Sequence, residues 1–548
     1  MKRRDFLKVL SATGMAATVP TFMSGKAHAS SLTPVGRYFV LLHLGGGWDP
    51  TSFCDPKGNI LRGAVDSGAR NAGSPVNRFC SNAIRRVRDV SLSSNVDDQM
   101  KYAPYLGTYN LNDIDEPGNP AANTAIRIDH IQRMLAGSRS GEGDNVVLTL
   151  AQAPDFDWGA AKSSQSSTIV ANAKGILEGT INSIDFDGLA SEVSGVNFAN
   201  GSRLNPNLFV YDAFCCLYAD KIRVMNGIDN RTNGHDTGTR FSNTGSMDTA
   251  FPDFSALYAA VQGADRPLAF ITNGGGNNET AGLVPRSSAG DVTVFNTLSE
   301  PEGNYLPGGM KSLVDQAKEQ RRALLDQKET LPRRHRLQSQ LYMVRDEGVA
   351  FSGVASELAN PTDPGHIALR DKARNNRQRQ MRIGAASMSA GMASSMQIGF
   401  GGFDTHNNHD AQHFNRIRDV LVDLHYLWEA LEVYNIEQDT TIVLASDFGR
   451  TPWYNSGNGK DHWAVGSYIA LGKDVAGGTV LNATDPLVGP MNVTISGNQM
   501  TPVPPNTTGS TRITAAHLHK HMRVIAGIDQ HPFAQQFPID IEQLPVFG

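Results

Sequence analysis

The sequence predicts an α/β protein, a three-layer sandwich with a largely parallel central sheet. Two observations predict this class: short apolar runs that are continuous rather than alternating, and helical patterns that lie between several of them. Continuous apolar runs are typical of strands covered on both faces, and strand–helix alternation is typical of this architecture. The predicted strands are residues 38–44, 145–150, 221–226, 267–272, 396–400 and 440–445.

Three segments carry helical patterns. Residues 310–347 are charged and rich in helix-forming residues, with a break at Pro332, and residues 511–526 are predicted to form a closing helix. Residues 410–435 are amphipathic, with the apolar spacing of a helix that packs one face on a core. The residues of that apolar face are Ile417, Val420, Leu421, Leu424, Leu427, Trp428 and Leu431.

Composition predicts one globular domain over residues 30–548, with loop insertions at about 50–130, 155–205 and 475–510, where Gly, Ser, Asn, Asp, Pro and Thr are frequent and periodicity is weak. The net charge of −5 argues against nucleic acid as a partner. Cys54 and Cys80 are a candidate disulfide in an oxidising compartment. The adjacent Cys215 and Cys216 lie in an apolar run and are predicted to be buried.

The first 29 residues have the features of a twin-arginine (Tat) signal peptide. Arg3 and Arg4 open an Arg-Arg-x-Phe-Leu-Lys motif, an apolar stretch follows, and Ala27-His28-Ala29 supplies a small-x-small cleavage site. The apolar stretch is too short and too interrupted for a spanning helix, which needs about 20 residues. We therefore expect export by the Tat translocase, a mature chain that begins near Ser30, a periplasmic or secreted location, and no stable membrane anchor.

Polar motifs follow four of the predicted strands, where sites form in parallel sheets. Gly45-Gly46-Gly47-Trp48-Asp49 follows the first strand, and glycines permit a tight turn that presents Asp49. The loop 230–240 contains His235, Thr237 and Thr239. Each motif also has a plainer interpretation, as a turn closed by its own Asp or as an ordinary surface loop.

The other two motifs pair carboxylates with imidazoles. Asp404 and His406 follow the strand 396–400; Asp447 follows the strand 440–445, and Asp461-His462 lies on the Gly-rich loop beyond it. Carboxylate and imidazole together suit Zn²⁺, Mn²⁺ or a related ion. The motifs together predict a site for one or two divalent ions, with Zn, Mn, Ca and Mg as candidates. We interpret His413, and His517, His519 and His521 on the closing helix, as surface residues.

The order of these motifs resembles an exported bacterial family catalogued as domain of unknown function 1501, over about residues 36–530. That family is similar in fold to the alkaline phosphatase and sulfatase superfamily, whose members hold two metals after the strands of a central sheet and cleave phosphate or sulfate esters. The resemblance therefore implies an alkaline-phosphatase-like fold. It implies metal-ligand roles for Asp49, Asp404, His406 and Asp447, with His462 as the late histidine.

The sequence departs from the superfamily pattern in two places. Phe448 stands where the superfamily has a metal-binding histidine, and no Cys-x-Pro-x-Arg or Ser-x-Pro-x-Arg motif occurs, which argues against a formylglycine sulfatase. The nucleophile stays open, with Thr237 preferred over Thr239. The candidate residues for holding the anionic group are Arg231, Arg240 and Arg450.

Three functions compete. The first is a metal-dependent hydrolase of a phosphate or sulfate ester, in which the candidate catalytic residues are Thr237, His235 and Arg450 and the candidate ligands also include Asp461. The second is a non-catalytic exported protein that binds a polysaccharide or a protein on the same fold. The third is a carbohydrate-modifying enzyme that uses paired carboxylates.

Overall fold

The computed structural model describes residues 33–55, 167–180, 221–288, 310–328 and 348–548, with short gaps at 408, 453–454, 456–458, 486–487 and 498, and isolated short pieces elsewhere. The predicted strand 145–150, the cysteines at 80, 215 and 216, the signal segment and most of the first two predicted insertions lie outside the described residues. No helix in the described residues combines the length and apolarity needed to cross a membrane.

The strands follow the predicted runs closely. Five of the six runs form strands, and two pairs of very short strands, Ile60–Leu61 with Pro75–Val76 and Tyr109–Asn110 with Ala125–Ile126, lie apart from the main sheet. The labelled strands are β1 Tyr38–Leu44, β2 Ile222–Asp229, β3 Phe270–Thr272, β4 Arg286–Ser288, β5 Ser395–Phe400, β6 Thr440–Ser446, β7 Gly449–Arg450, β8 His462–Trp463, β9 Val465–Gly472, β10 Thr479–Leu481, β11 Asn492–Ser496 and β12 Gln499–Val503.

Ten helices and two short 3₁₀ turns, Pro50–Ser52 and Glu437–Asp439, are described. The helices are α1 Ser167–Glu178, α2 His235–Thr244, α3 Phe254–Gln262, α4 Met310–Lys328, α5 Gly348–Ala359, α6 Pro364–Lys372, α7 Asn376–Ser389, α8 His409–Val433, α9 Ala515–Ile525 and α10 Pro532–Gln535.

The central sheet has eight strands in the spatial order β10-β2-β9-β6-β1-β5-β3-β4. Every neighbouring pair is parallel except the two pairs that contain β9, which is antiparallel to β2 and to β6. The strands β2, β6, β1, β5 and β3 therefore all end at the same edge. The prediction of a largely parallel sheet is confirmed, and the polar segments that follow these strands lie at this carboxyl edge.

Alternate residues of β1 belong to two different cores. Tyr38, Val40 and Leu42 pack in one cluster, which contains apolar residues of α1, α5, α7 and α8. Phe39 and Leu41 pack in the other, with residues of α3 and α9. Helices thus cover both faces of the sheet, as the continuous apolar runs predicted, and the architecture is an α/β sandwich.

The long helix α8 confirms the amphipathic pattern. All seven residues of its predicted apolar face are buried, among them Leu427 and Leu431 at 0% exposed. Each such side chain contributes about 1.5–3 kcal/mol relative to leaving it in water. The helix therefore packs firmly on the first core, and its N-terminal end lies beside the loop that follows β5.

The histidines that the sequence analysis interpreted as surface residues are buried. His413 is 0% exposed, and His517, His519 and His521 are 2–6% exposed, so the surface interpretation was wrong. On α9, His517 closes a capping box with Thr514, the His519 ring donates to the Ser242 carbonyl, and His521 accepts the Phe547 N–H. One nitrogen of each of these three rings thus has a specific partner within the protein.

These contacts predict acid-sensitive stability. Burial lowers the pKa of His517, His519 and His521 to about 4, against about 6.5 in an unfolded chain. Below pH 6.5 the unfolded state binds protons that the folded state excludes, so the free energy of unfolding falls between about pH 6.5 and pH 4 and is fully present above that window. At about 1.4 kcal/mol per pKa unit, the loss amounts to several kcal/mol.

Urea unfolding at several pH values measures this loss. His519→Gln should reduce the slope of stability against pH by roughly one proton. His366→Gln is a control of opposite sign, because the hydrogen bond that His366 donates to Glu357 raises the pKa of His366. Its stabilisation is gained as the pH falls through the raised pKa towards 6.5, so its removal should change the slope above about pH 6.5 and leave the slope between pH 6.5 and 4 unchanged. Equal slopes in wild type and His519→Gln would contradict the expectation.

Several strands in the C-terminal part were not predicted from the sequence. Residues 475–510, interpreted as a loop insertion, contribute β10 to the main sheet and the hairpin β11–β12. The antiparallel strand β9 was also missed. The strands β10, β11 and β12 are short and lie among loop-forming residues, where periodicity gives a weak signal, and in β9 Gly466 and Ser467 interrupt the apolar run.

Candidate metal centre

The carboxyl edge of the sheet brings four separate loops together. His235 begins α2 after β2, Asp404 and His406 follow β5, Asp447 follows β6, and His462 begins β8. A glycine makes this approach possible: Gly46 has φ +117°, and a Cβ there would lie 2.4 Å from the backbone N of Asp404. Position 46 therefore has to be free of a side chain for the loop of Asp404 to pack against the turn.

Four side chains converge at the surface of this edge. Asp404 lies at the centre: its Oδ1 is 3.0 Å from His406 Nε2 and 3.2 Å from His462 Nε2, and its Oδ2 is 3.5 Å from His235 Nε2. The Nε2 atoms of His406 and His462 are 3.0 Å apart. His235, Asp404 and His462 each present a possible ligand atom, all within 4.8 Å of one another.

The other ring nitrogen of each histidine is held by an oxygen. His235 Nδ1 lies 2.8 Å from Asp447 Oδ2, His406 Nδ1 lies 3.2 Å from Asp461 Oδ1, and His462 Nδ1 lies 2.7 Å from the Asn233 carbonyl. Carboxylate and carbonyl oxygens only accept hydrogen bonds, so each Nδ1 carries the proton. The Nε2 atom of each ring faces the Asp404 carboxylate, where a bound cation would take the place of a shared proton.

This arrangement fits a divalent cation. Three imidazole Nε2 atoms and a carboxylate that converge in this way can bind a positive charge between them. Imidazole anchored through its second nitrogen to a carboxylate or carbonyl is the usual arrangement around a protein-bound metal. Three nitrogen donors and one oxygen donor suit Zn²⁺ or Mn²⁺ better than Ca²⁺, which prefers oxygen ligands.

Arg450 holds the Asp404 carboxylate in place through a hydrogen bond. Its guanidinium is fully buried and donates to Asp404 Oδ1 (2.5 Å) and to the carbonyls of Gly46, Gly47 and Lys460. Partial burial raises the pKa of Asp404, but Arg450 and His462 outweigh it and lower that pKa to about 2. Asp404 is therefore ionised, and the Arg450 guanidinium is committed to partners inside the protein.

Asp447 is enclosed behind His235. Its carboxylate accepts from His43 Nε2 (2.8 Å), Thr239 Oγ1 (2.9 Å), the Gly46 N–H (2.9 Å) and His235. Burial opposes ionisation of Asp447, but the hydrogen bond and charge interaction with His43 and the bond to His235 outweigh it and hold the pKa of Asp447 well below its usual range. With these four donors in place, Asp447 orients His235.

Asp49 lies in a different, fully buried set of contacts. Its Oδ2 is 2.7 Å from Lys460 Nζ and 3.2 Å from His409 Nε2, and its Oδ1 accepts from Thr51. Burial raises the pKa of Asp49, but Lys460 and His409 outweigh it and hold that pKa well below its usual range. The structure thus separates Asp49 from the histidine cluster around Asp404.

Of the predicted site residues, the structure brings together His235, Asp404, His406, Asp461 and His462, with Asp447 and Arg450 directly behind them. Thr237 lies half-buried in the first turn of α2. The sequence analysis assigned no role to His43 or Lys460. A lone histidine in an apolar strand, and a lysine that directly precedes Asp461-His462, were the signals that could have found them.

Phe448 packs among the histidines rather than replacing one. Its ring is fully buried, with centroids 4.9 Å from the His235 ring and 4.5 Å from the His462 ring. A Cβ on Gly47 or Gly238 would collide with or crowd this ring. The Phe448 ring therefore packs against two of the converging imidazoles, those of His235 and His462.

A second cluster of possible ligands, Glu178, His425 and Glu429, lies on the first core. Lys372 Nζ already binds Glu178 (2.7 Å) and Glu429 (3.1 Å), and Lys174 also binds Glu429. Two ammonium groups thus neutralise the two carboxylates. This cluster is an ion-pair network that joins α1, α6 and α8.

Comparison with known protein families identifies the chain. The model of the family described as "Protein of unknown function (DUF1501)" matches residues 192–532, well over half of the 548 residues. No curated protein and no solved structure matches the chain significantly. The matched region includes α2, the strands β2, β5 and β6, and the histidine cluster. The chain therefore belongs to the DUF1501 family of proteins of unknown function.

Proposed function

We propose that this protein is a metal-dependent hydrolase of phosphate or sulfate esters. The observation that carries the proposal is the convergence of three Nε2 atoms on Asp404, each ring anchored at Nδ1 by an oxygen. We assign the metal-ligand roles to His235, Asp404, His406 and His462. Asp447 and Asp461 then serve as anchors of ligands rather than as ligands.

A divalent ion held there supplies a Lewis acid that polarises an ester oxygen and lowers the pKa of a ligated water. The chain's own residues supply orientation. Asp447 and Asp461 hold the His235 and His406 rings, the buried Arg450 holds Asp404, and Phe448 supports His235 and His462 from below. Such preorganisation keeps the ligands in place before a substrate arrives.

The start of α2 supports an anionic substrate. His235 is the first residue of this helix, and the N-cap residue Gly234 has no side chain with which to cap the first amides. The positive end of the helix dipole therefore lies at the metal centre, where it favours a negative group. Thr237 in this first turn is the hydroxyl that we propose as nucleophile. Thr239 is less suitable because its hydroxyl donates to Asp447.

Two features favour the alternative, a non-catalytic protein that binds a polysaccharide or a protein through the same site. Arg450 is buried and committed, so it offers no guanidinium to a substrate anion. Phe448 adds no ligand. The relation to the alkaline phosphatase and sulfatase superfamily is part of the hydrolase proposal, supported by the position of Asp404 and Asp447 after parallel strands.

A substrate screen tests the proposal. The mature chain, loaded in turn with Zn²⁺, Mn²⁺, Mg²⁺ and Ca²⁺, is assayed against phosphate monoesters, phosphate diesters and sulfate esters. We expect turnover of at least one class, and a loss of at least about 100-fold in Asp404→Ala, about 2.7 kcal/mol of transition-state stabilisation.

A matched control separates chemistry from general damage. Asp439→Asn changes the same residue type at the opposite, amino edge of the sheet, directly before β6, and should keep full activity. The hydrolase proposal is abandoned if no ester is cleaved with any ion by a chain that retains bound metal. That result would leave the binding-protein alternative.

A further inference from the structure

A lysine ammonium forms an ion pair with the buried carboxylate of Asp49. Lys460 Nζ lies 2.7 Å from Asp49 Oδ2 and 3.1 Å from Thr51 Oγ1, and both side chains of the ion pair are 1% exposed. His409 Nε2 approaches the same carboxylate oxygen at 3.2 Å. A carboxylate and a hydroxyl therefore contact one positive charge that the chain itself supplies, and an imidazole contacts the same carboxylate.

Asp49 and Thr51, which contact Lys460 Nζ, and His409, which contacts Asp49, carry atoms that can bind a divalent ion. Asp49 is ionised. His409 is neutral, because complete burial lowers its pKa to about 4, and its Nδ1 lies 2.6 Å from Thr405 Oγ1, which fixes the ring. Carboxylate, imidazole and hydroxyl are suitable ligands for Mn²⁺ or Zn²⁺. The geometry is that of a cation site that a side chain already fills.

The formal charges of the residues at the carboxyl edge also favour a single divalent ion. Asp49, Asp404, Asp447 and Asp461 contribute four carboxylates, and Lys460 and Arg450 contribute two cations that pair with Asp49 and Asp404, so the formal charge of these six side chains is −2. One divalent ion neutralises this charge. A second ion would leave an excess of +2 in a partly buried site, which is costly.

We propose that this protein holds a single divalent ion, at His235, Asp404, His406 and His462, and that the Lys460 ammonium occupies the position of a second cation on Asp49. The inference rests on the proposed metal centre. It specifies the number of ions and gives Lys460 a role that a structural ion pair alone does not have. Removing the ammonium should convert Asp49, Thr51 and His409 into a second metal site.

Metal stoichiometry tests the inference. Wild type, Lys460→Ala and Lys460→Arg are stripped with chelator, incubated with Mn²⁺, desalted and analysed for bound metal by mass spectrometry. We expect one Mn²⁺ per chain in wild type, two in Lys460→Ala, and one in Lys460→Arg, which keeps a cation at Asp49. Asp404→Ala added to Lys460→Ala should return the count to one.

The two hypotheses fail separately. The wild-type count tests the proposed centre, and the difference between Lys460→Ala and wild type tests the role of Lys460. No bound ion in wild type but one in Lys460→Ala would contradict the proposed metal centre and support the proposed role of Lys460. Two ions in wild type, or no additional ion in Lys460→Ala, would overturn the inference and leave the centre standing.

Thermal denaturation shows whether Lys460→Ala is folded and whether Mn²⁺ stabilises it. In chelator, Lys460→Ala should unfold at a lower Tm than wild type, since Asp49 is left buried without its partner. Mn²⁺ should raise the Tm of Lys460→Ala by more than it raises the Tm of wild type, because only this variant gains a second site that binds in the folded state. Equal Mn²⁺-dependent shifts would overturn the inference.

Discussion

Asp404→Ala and His462→Ala are each expected to abolish tight binding of Zn²⁺ or Mn²⁺ to the folded chain. The expected fall in affinity exceeds about 100-fold, because residues that merely anchor a metal ligand are already worth about 10–100-fold. His462 gives the cleaner result of the two. Asp404 also partners the buried Arg450 guanidinium, so its loss destabilises the fold as well. Isothermal titration of the chelator-stripped protein measures the affinity.

Graded effects distinguish ligands from their anchors. Asp461→Ala removes the oxygen that holds His406 Nδ1 and should weaken binding by about 10–100-fold without abolishing it. Asp439→Asn, at the opposite edge of the sheet, should leave the affinity unchanged. Tight binding that survives in both His462→Ala and Asp404→Ala would mean that the ion, if any, binds elsewhere.

Lys460→Met in metal-free buffer is expected to destabilise the protein by about 3–5 kcal/mol, the usual cost when one partner of a buried ion pair is removed and the other keeps its charge. Asp49 is fully enclosed and its carboxylate has no route to water. The double variant Asp49→Asn, Lys460→Met should lose less than the sum of the single variants. Urea unfolding with EDTA present measures all three.

An exposed pair of similar composition supplies the control. Lys473 and Asp439 lie 3.6 Å apart, with 37% and 44% of their side chains exposed. Lys473→Met should change the free energy of unfolding by less than about 1 kcal/mol, as surface ion pairs usually do. Similar losses for Lys460→Met and Lys473→Met would refute the special weight given to the buried pair.

The sequence predicted the sheet well because its central strands carry a signal of their own. A strand such as β1 is buried on both faces, so each of its seven residues is covered, and six of them are apolar. The apolar face of α8 was predicted residue by residue because its apolar residues recur with the period of a helix. The antiparallel β9, whose apolar run is interrupted by Gly466 and Ser467, and the partly exposed edge strand β10 were missed, because such strands are specified by their neighbours in the sheet.

The candidate site was predicted in part. His235, Asp404, His406, Asp461 and His462 were found, since each follows or precedes a predicted strand. The sequence could not show that Asp49 faces Lys460 while Asp404 faces three imidazoles. Residues 49 and 460 are more than 400 positions apart, and only the packing of the loop after β1 against the loop before β8 brings them into contact.

By itself, the sequence determined the fold class, the edge of the sheet at which polar groups collect and most of the groups that collect there. These follow from local patterns, apolar periodicity and the residues that end each strand. The tertiary structure alone decided that Asp49 pairs with Lys460 while Asp404 faces three imidazoles. It also decided that the histidines of α9 and His413 are buried. The reason is physical: burial, charge pairing and the choice of ring nitrogen depend on distances between loops, and a linear pattern carries no record of those distances.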